Sequence, residues 1–256
     1  MNTYFLVASL RRSGSSYLSL ELDSYENVFC QFEHLYRKSK YKQPAHIVID
    51  GKDFSFRDSI DKLSKGEKFR GTKLPIPEYQ PDDVPVILNY LRSEPIKIIH
   101  IIRNFHESMV SILRAKKTGV WLVHDDRKSE VPDWMKGDER HKSFDSSKHE
   151  EKEESLFLTE DLVDEYCRNA LSIDKGIASL RESNDYYQVN YIDIHNSIEE
   201  ILEFIGAYVN KSKLPKKIRF QTPEKIIKNK SSDIINNWNL VRPKFEHWES
   251  LRDYIV

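Results

Sequence analysis

The stretch Tyr4–Leu18, YFLVASLRRSGSSYL, decides the fold prediction for this chain. Its first part, Tyr4–Ala8, is a short apolar run, which predicts a buried β-strand. The pattern Tyr17–Leu22 is typical of the start of a helix, and the serines before it are good N-cap residues. A strand, a tight glycine-containing turn and a helix N-terminus together form an anion cradle, because unpaired N–H groups and the positive helix end point at the ligand.

The residues of this turn supply further anion-binding groups. Gly14 allows the backbone to approach an anion closely, and Arg12 carries a permanent charge on a planar fork of donors. Hydroxyl donors come from Ser13, Ser15 and Ser16. An ordinary Ser/Gly turn that caps a helix is the alternative, and the turn alone does not exclude it.

The turn lacks the lysine of the nucleotide-binding motif G-x-x-x-x-G-K-[ST], because Ser15 follows Gly14 directly. The strand that ends at Arg103 also lacks the acid that would help to hold magnesium. Asp50, after the apolar run Ala45–Ile49, is a weak candidate for that acid. The sequence therefore disfavours a magnesium-dependent NTPase.

Predicted strands and helices alternate along the rest of the chain. Further strands are predicted at Val28–Phe32, Gly71–Leu74, Pro95–Ile102 and Tyr186–Tyr191, with Ala45–Ile49 as a strand or a piece of helix. Helices are predicted at Val84–Leu91, Glu107–Lys117, Leu158–Leu180 and Ser197–Gly206, the last closed by its glycine. This alternation predicts an α/β fold with a mainly parallel central sheet flanked by helices on both faces.

The length of 256 residues predicts one domain, 1–256, around one sizeable core. The polar, charged stretch at about 125–155 predicts a surface loop or insertion, with a lid over a substrate as the alternative.

The composition excludes several classes of partner. With 40 Lys and Arg against 41 Asp and Glu, the net charge of −1 gives no reason to expect a nucleic acid or an anionic membrane. No run approaches the ~20 apolar residues of a membrane span. Cys30 and Cys167 lie far apart and outside any metal-type spacing, which favours a reduced, cytoplasmic protein without a metal ion.

A second basic motif follows the most apolar strand. Arg103 ends the run Pro95–Ile102, Ser111 lies eight residues further on, and Arg114 is in the next helical turn. Such an arginine and serine can converge on a phosphate if the helix folds back beside the first turn. An arginine at a strand end and a surface serine, with no shared ligand, remain the alternative.

These two motifs, in this order, resemble those of the sulfotransferases that use 3′-phosphoadenosine 5′-phosphosulfate (PAPS). The chain is most similar to their bacterial carbohydrate branch, which includes the trehalose and Nod-factor sulfotransferases. Three further segments carry the resemblance: Ser111–Trp121, SILRAKKTGVW; Gly71–Leu74, GTKL; and Val189–Asp193 followed by Ile201–Gly206. Arg11 departs from the family pattern, which usually has proline there, and Asp193 falls in YID rather than in Y-E-x-L.

The resemblance implies a P-loop-NTPase-like fold and PAPS as the co-substrate, with no metal. The residues that would hold the 5′-phosphosulfate are Arg12, Ser13, Gly14, Ser15, Ser16 and Tyr17. Arg103 and Ser111 would hold the 3′-phosphate, and Lys228 and Lys230 lie in the segment that relatives place over the nucleotide. The acceptor would be a hydroxyl of a carbohydrate or glycoconjugate, and a homodimer is an analogy with dimeric relatives.

The resemblance also implies catalytic roles. Arg12 would stabilise the leaving group, and Glu33 would be the general base, with His34 as its rival. Lys73 could line the acceptor site, although a lysine beside a strand usually faces solvent, and His100, inside an apolar strand, is predicted to be a core histidine with satisfied hydrogen bonds. The rival hypotheses are a nucleotide or small-molecule kinase and a catalytically inactive, nucleotide-binding homologue.

Overall fold

The computed structural model describes residues 2–31, 47–49, 52–54, 56–64, 66–75, 83–118, 155–207 and 231–253. The strands are β1 (Thr3–Ser9), β2 (Val28–Gln31), β3 (Ile47–Ile49), β4 (Lys52–Phe54), β5 (Phe69–Pro75), β6 (Lys97–Ile102) and β7 (Tyr186–Asn190). The helices are α1 (Ser15–Asp23), α2 (Phe56–Leu63), α3 (Asp83–Ser93), α4 (Phe105–Thr118), α5 (Glu160–Ala178), α6 (Ile198–Ile205), α7 (Ser231–Ile234) and α8 (Trp238–Asp253).

The chain divides into two units, which are described in turn. The first contains Met1–Arg103 and Ile173–Ile218, and the second contains Asn104–Ser172 and Arg219–Val256.

A five-stranded sheet in the order β2-β5-β1-β6-β7 forms the centre of the first unit. All four pairings are parallel, and β1 lies in the middle, with Val7 opposite Lys73 of β5 and Ile99 of β6. Parallel strands that are buried on both faces are apolar nearly throughout, as β1 and β6 are. The predicted α/β class with a parallel central sheet is confirmed.

Helices cover both faces of this sheet, as predicted. Successive residues of β1 alternate between two cores: Phe5 and Val7 belong to one, and Leu6 and Ala8 to the other. The first core is completed by apolar residues of α1 and α6, which include Leu18, Leu22, Ile201, Leu202 and Ile205. The second is completed by α2, α3 and the end of α5, through residues that include Phe56, Ile60, Ile87, Leu91 and Ile177.

The short segment around Ile49 resolves an alternative that the sequence left open. Ile47–Ile49 is a strand, and it pairs with Lys52–Phe54 in a separate antiparallel ribbon instead of joining the main sheet.

At the end of α6, Gly206 adopts a left-handed φ of 82°, and the N–H of Ala207 donates to the carbonyl of Leu202. The glycine closure predicted for this helix is therefore confirmed.

The second unit is helical in its described parts and consists of α4, α5 up to Ser172, α7 and α8. A parallel bridge joins Leu156 to Ile235, and the Asn237 side chain bonds both the N–H and the carbonyl of Leu158. In the part of the chain that the structure describes, no helix has the length and apolarity to cross a membrane.

Candidate active site

The turn after β1 has an unusual backbone. Arg12 and Gly14 both adopt left-handed conformations, with φ of 64° and 84°. Gly14 is the N-cap of α1, and no side chain caps the helix, so the predicted serine cap is wrong. The physical reason is that the chain needs a left-handed residue at this point, which favours glycine over serine. A glycine N-cap offers no side-chain oxygen to the N–H groups of the first helical turn, which suits an external anion.

The Ser13 hydroxyl supports an anion site on this turn. Its side chain is fully buried, and its Oγ has no hydrogen-bond partner among the described residues. Leaving such a group unsatisfied costs about 1–3 kcal/mol, so buried hydroxyls normally have a partner. An oxygen of a bound phosphate or sulfate would accept this hydrogen bond.

Gly14 is required sterically as well as conformationally. A Cβ built on Gly14 would lie 2.6 Å from Cδ2 and 2.7 Å from Cε2 of Tyr191. These are ring atoms of a half-buried side chain packed on the core, which cannot move away freely. The tyrosine ring therefore lies directly against the turn.

We expect Gly14→Ala to distort the turn, because the new methyl group meets the Tyr191 ring while the left-handed φ disfavours any residue with a Cβ. The variant should lose about 1–3 kcal/mol of unfolding free energy. Anion binding at the turn should weaken by more than the stability loss accounts for. Denaturant unfolding and calorimetric titration measure the two effects. Gly66→Ala is a matched control, since Gly66 also has a positive φ but has nothing within 4 Å of its Cβ position.

Three arginines bring positive charge to the turn. The pKa of Arg12 is lowered to about 10, mainly by burial and also by the charges of Arg103 and Arg11, against an opposing effect of Tyr191. Arg12 nevertheless stays protonated at neutral pH. A bound anion would relieve this mutual repulsion, so the charge arrangement favours an anionic ligand.

Arg103 lies at the end of β6 and contacts the turn directly. Its side chain is buried, and Nη1 donates a hydrogen bond of 2.5 Å to the main-chain carbonyl of Arg12. The guanidinium carbon lies 4.1 Å from the centroid of the Tyr191 ring, within cation–π distance. The structure thus brings together Arg12 and Arg103, one from each of the two predicted motifs.

Lys73 adds a fourth cation from β5. It is only 5% exposed, and its Nζ donates to the Ser16 hydroxyl over 2.9 Å, so the usual solvent-facing arrangement does not apply. Lysines are almost never this buried unless they are paired. The position follows from the sheet: Lys73 is opposite Val7 in β1, two residues before the strand ends and the turn begins.

Tyr17 lies in the first turn of α1, and its hydroxyl is 3.1 Å from Nδ1 of His195. Burial is the main cause that raises the pKa of Tyr17, so the phenol stays neutral at physiological pH. His100 has other partners. It is fully buried between the Tyr186 hydroxyl, at 2.6 Å, and the Asp174 carboxylate, at 3.3 Å, which confirms a satisfied core histidine.

Other predicted site residues lie in the second unit or outside the described residues. Ser111 belongs to the second unit, where it is buried on α4. Five other residues lie outside the described residues: Glu33, His34, Asp50, Lys228 and Lys230. Among the residues that are described, no three His, Cys, Asp or Glu side chains form a group that could hold a metal ion.

Tyr191 is a member of the site that was not predicted from the sequence. Its signal was weak, because Tyr191 stood in a late segment, Val189–Asp193, that departs from the family pattern. The structure places it at the start of a short 3-10 helix, Tyr191–Asp193, directly after β7.

No protein-family model matches the chain, and no curated protein is significantly similar to it in sequence. In structure, the chain is similar to a mouse sulfotransferase, SULT7A1, which was crystallised in complex with adenosine 3′,5′-bisphosphate (PAP). The TM-score is 0.43 at 11% sequence identity, over 98% of this chain and 84% of that chain. Because this similarity is remote, the function is inferred from the residues of the turn and its neighbours.

Proposed function

We propose that this chain is a PAPS-dependent sulfotransferase that acts on a hydroxyl group of a carbohydrate or glycoconjugate. The observation that carries the proposal is the set of cations at the carboxyl end of β1. Arg12 lies in the turn, Arg103 and Lys73 lie beside it, and the turn lacks the lysine of the nucleotide-binding motif G-x-x-x-x-G-K-[ST]. Strand ends of parallel sheets are the usual place for such ligands. The two sequence motifs supply the identity of the ligand.

In this proposal, Arg12 and the turn hold the 5′-phosphosulfate. The acceptor oxygen forms a bond to sulfur as the bond between sulfur and the bridging oxygen breaks, and negative charge develops on the departing 5′-phosphate. The Arg12 guanidinium, the N–H groups of the turn and the Ser13 hydroxyl stabilise this charge. Ser15, Ser16 and Tyr17 complete the contacts to the phosphosulfate. Adenosine 3′,5′-bisphosphate (PAP) leaves.

Lys73 is assigned to the transferring sulfuryl group. Its ammonium donates to the hydroxyl of Ser16 in the first turn of α1, and it is a compact positive charge with three donors on a flexible side chain. A buried ammonium interacts with an anion more strongly than an exposed one, because less water screens the charge. Lys73 and Arg12 would then share the negative charge of the transition state.

Arg103 is assigned to the 3′-phosphate, because its guanidinium is a planar fork of donors that suits a phosphate and its bond to the Arg12 carbonyl holds it at the turn. The same assignment for Ser111 rests on the eight-residue spacing in the sequence, since Ser111 lies in the second unit. Lys228 and Lys230 are assigned to the nucleotide from the sequence alone. Contacts with the 3′-phosphate would allow the protein to select PAPS over ATP, which lacks that phosphate.

The test is a transfer assay with PAPS carrying labelled sulfate and a panel of glycans. We expect label to appear on at least one hydroxyl-bearing acceptor, with PAP released in equal amount and no requirement for magnesium. Binding of PAP without transfer to any acceptor would favour the inactive homologue. Phosphate transfer from ATP, dependent on magnesium, would favour a kinase and refute the proposal.

Glu33→Gln should cut turnover by about 10²- to 10⁴-fold, the usual contribution of a general base, while PAP affinity stays unchanged. Glu33 is the assigned acceptor of the hydroxyl proton, and the amide cannot take that proton. Steady-state kinetics and PAP titration measure the two quantities. If Glu33→Gln turns over like the wild type, the base lies elsewhere, and His34→Asn is the next variant to assay.

A further inference from the structure

The Tyr191 ring contacts both anion-binding segments. One side of it lies against the backbone of the turn, where its Cδ2 and Cε2 atoms are 2.6 and 2.7 Å from the position that a Cβ on Gly14 would take. Its face lies 4.1 Å from the Arg103 guanidinium. Arg103 in turn donates to the carbonyl of Arg12, which is two residues before Gly14. Tyr191, Arg103 and the turn therefore form a closed set of contacts.

These contacts include a residue with a strained backbone. The Arg12 carbonyl accepts the bond from Arg103 while Arg12 has a left-handed backbone, which is a strained conformation for a non-glycine residue. Strain of this kind persists only where neighbouring groups hold it in place. The buried guanidinium holds the carbonyl, and the tyrosine ring holds the guanidinium.

We propose that Tyr191 is a positioning residue: its ring fixes Arg103 against the Arg12 carbonyl and thereby keeps the turn in the conformation that binds an anion. The inference builds on the proposed function, since the anion is the phosphosulfate. It adds that the segment for the 3′-phosphate and the turn for the 5′-phosphosulfate are coupled through one aromatic ring. Arg103 then serves both ends of the nucleotide.

The coupling predicts which ligands respond to a change at Tyr191. Adenosine 5′-phosphosulfate lacks the 3′-phosphate, so a residue that acts only at that phosphate has no effect on its binding. If Tyr191 positions the turn, Tyr191→Leu should weaken both PAP and adenosine 5′-phosphosulfate, each by about 3- to 30-fold, as expected for the loss of one cation–π contact. Tyr191→Phe keeps the ring and should bind both ligands like the wild type.

Tyr187→Leu is the matched control. Tyr187 is another half-buried tyrosine of the same core, four residues earlier on β7, but its contacts are with Glu200 and Phe204. It should lose stability like Tyr191→Leu without losing ligand affinity. If Tyr191→Leu does not fold, Tyr191→Met, which keeps more of the side-chain volume, takes its place.

A ligand-free measurement separates this inference from the proposed function. Hydrogen exchange of the amides of Ser13–Ser15 should be faster in Tyr191→Leu than in the wild type, and unchanged in Tyr187→Leu and Tyr191→Phe. Exchange that is equal in Tyr191→Leu and the wild type would overturn the positioning role. Wild-type protein that binds neither nucleotide would overturn the proposed function, while the exchange result would still decide whether Tyr191 orders the turn.

Discussion

Arg12→Ala is expected to lower the turnover of sulfuryl transfer by about 10²- to 10³-fold, the usual effect of removing one donor that stabilises transition-state charge. The reason is positional: Arg12 lies in the turn itself, and its charge is held beside Arg103 and Arg11 in a partly buried setting. PAP affinity should fall less than turnover, because the departing phosphate gains charge only as the bond breaks. Steady-state kinetics with PAPS measure the loss.

Two comparison variants give this prediction its specificity. Arg11→Ala removes a neighbouring charge in the same turn and should reduce turnover by no more than about tenfold, as a longer-range electrostatic effect. Arg92→Ala removes an exposed arginine of α3 that bonds Asn89 and Ser179, and it should have no effect on kinetics. If Arg11→Ala and Arg12→Ala lose activity equally, the specific role of Arg12 on the leaving group is wrong.

Arg103→Ala should weaken PAP binding by about 10- to 150-fold, corresponding to about 1.5–3 kcal/mol for hydrogen bonds made by a charged group. The variant removes the assigned donor to the 3′-phosphate together with the bond to the Arg12 carbonyl. Calorimetric titration with PAP measures the affinity. We expect a smaller but real loss for adenosine 5′-phosphosulfate, because the turn loses its support.

Arg103→Lys separates the effect of the charge of Arg103 from the effect of its planar guanidinium. A lysine keeps the charge but not the planar fork, which can bond the carbonyl and stack on the Tyr191 ring at the same time. We therefore expect only partial recovery of PAP affinity. Unchanged affinity in Arg103→Ala would contradict the assigned contact with the nucleotide.

The α/β class and its parallel central sheet could be predicted from the sequence because their signals are local. The apolar runs at Tyr4–Ala8 and Pro95–Ile102 are typical of strands buried on both faces, and they became β1 and β6 at the centre of the sheet. The turn that follows Ser9 was recognisable for the same reason, since glycine, serine and arginine stand together in it. The N-cap of α1 was predicted to be a serine, because serine is a preferred N-cap residue, but the backbone has a left-handed conformation at this position and Gly14 occupies it.

Long-range features of the site could not be predicted. The burial of Lys73 depends on the register of β5 against β1, and the place of Tyr191 depends on where β7 ends beside β6. Neither is encoded in the residues around these positions. Three helices were also missed: α2, in which Phe56 and Ile60 give only one buried pair; the four-residue α7; and α8, whose sequence contains Pro243.

The most direct test of the central claim is a calorimetric titration of the purified chain with PAP in the presence of a metal chelator, beside a titration with ATP and magnesium. The account predicts saturable binding of PAP at one site per chain without metal, weakened in Arg103→Ala and nearly retained in Arg11→Ala. Saturable binding of ATP with magnesium, and none of PAP, would contradict it.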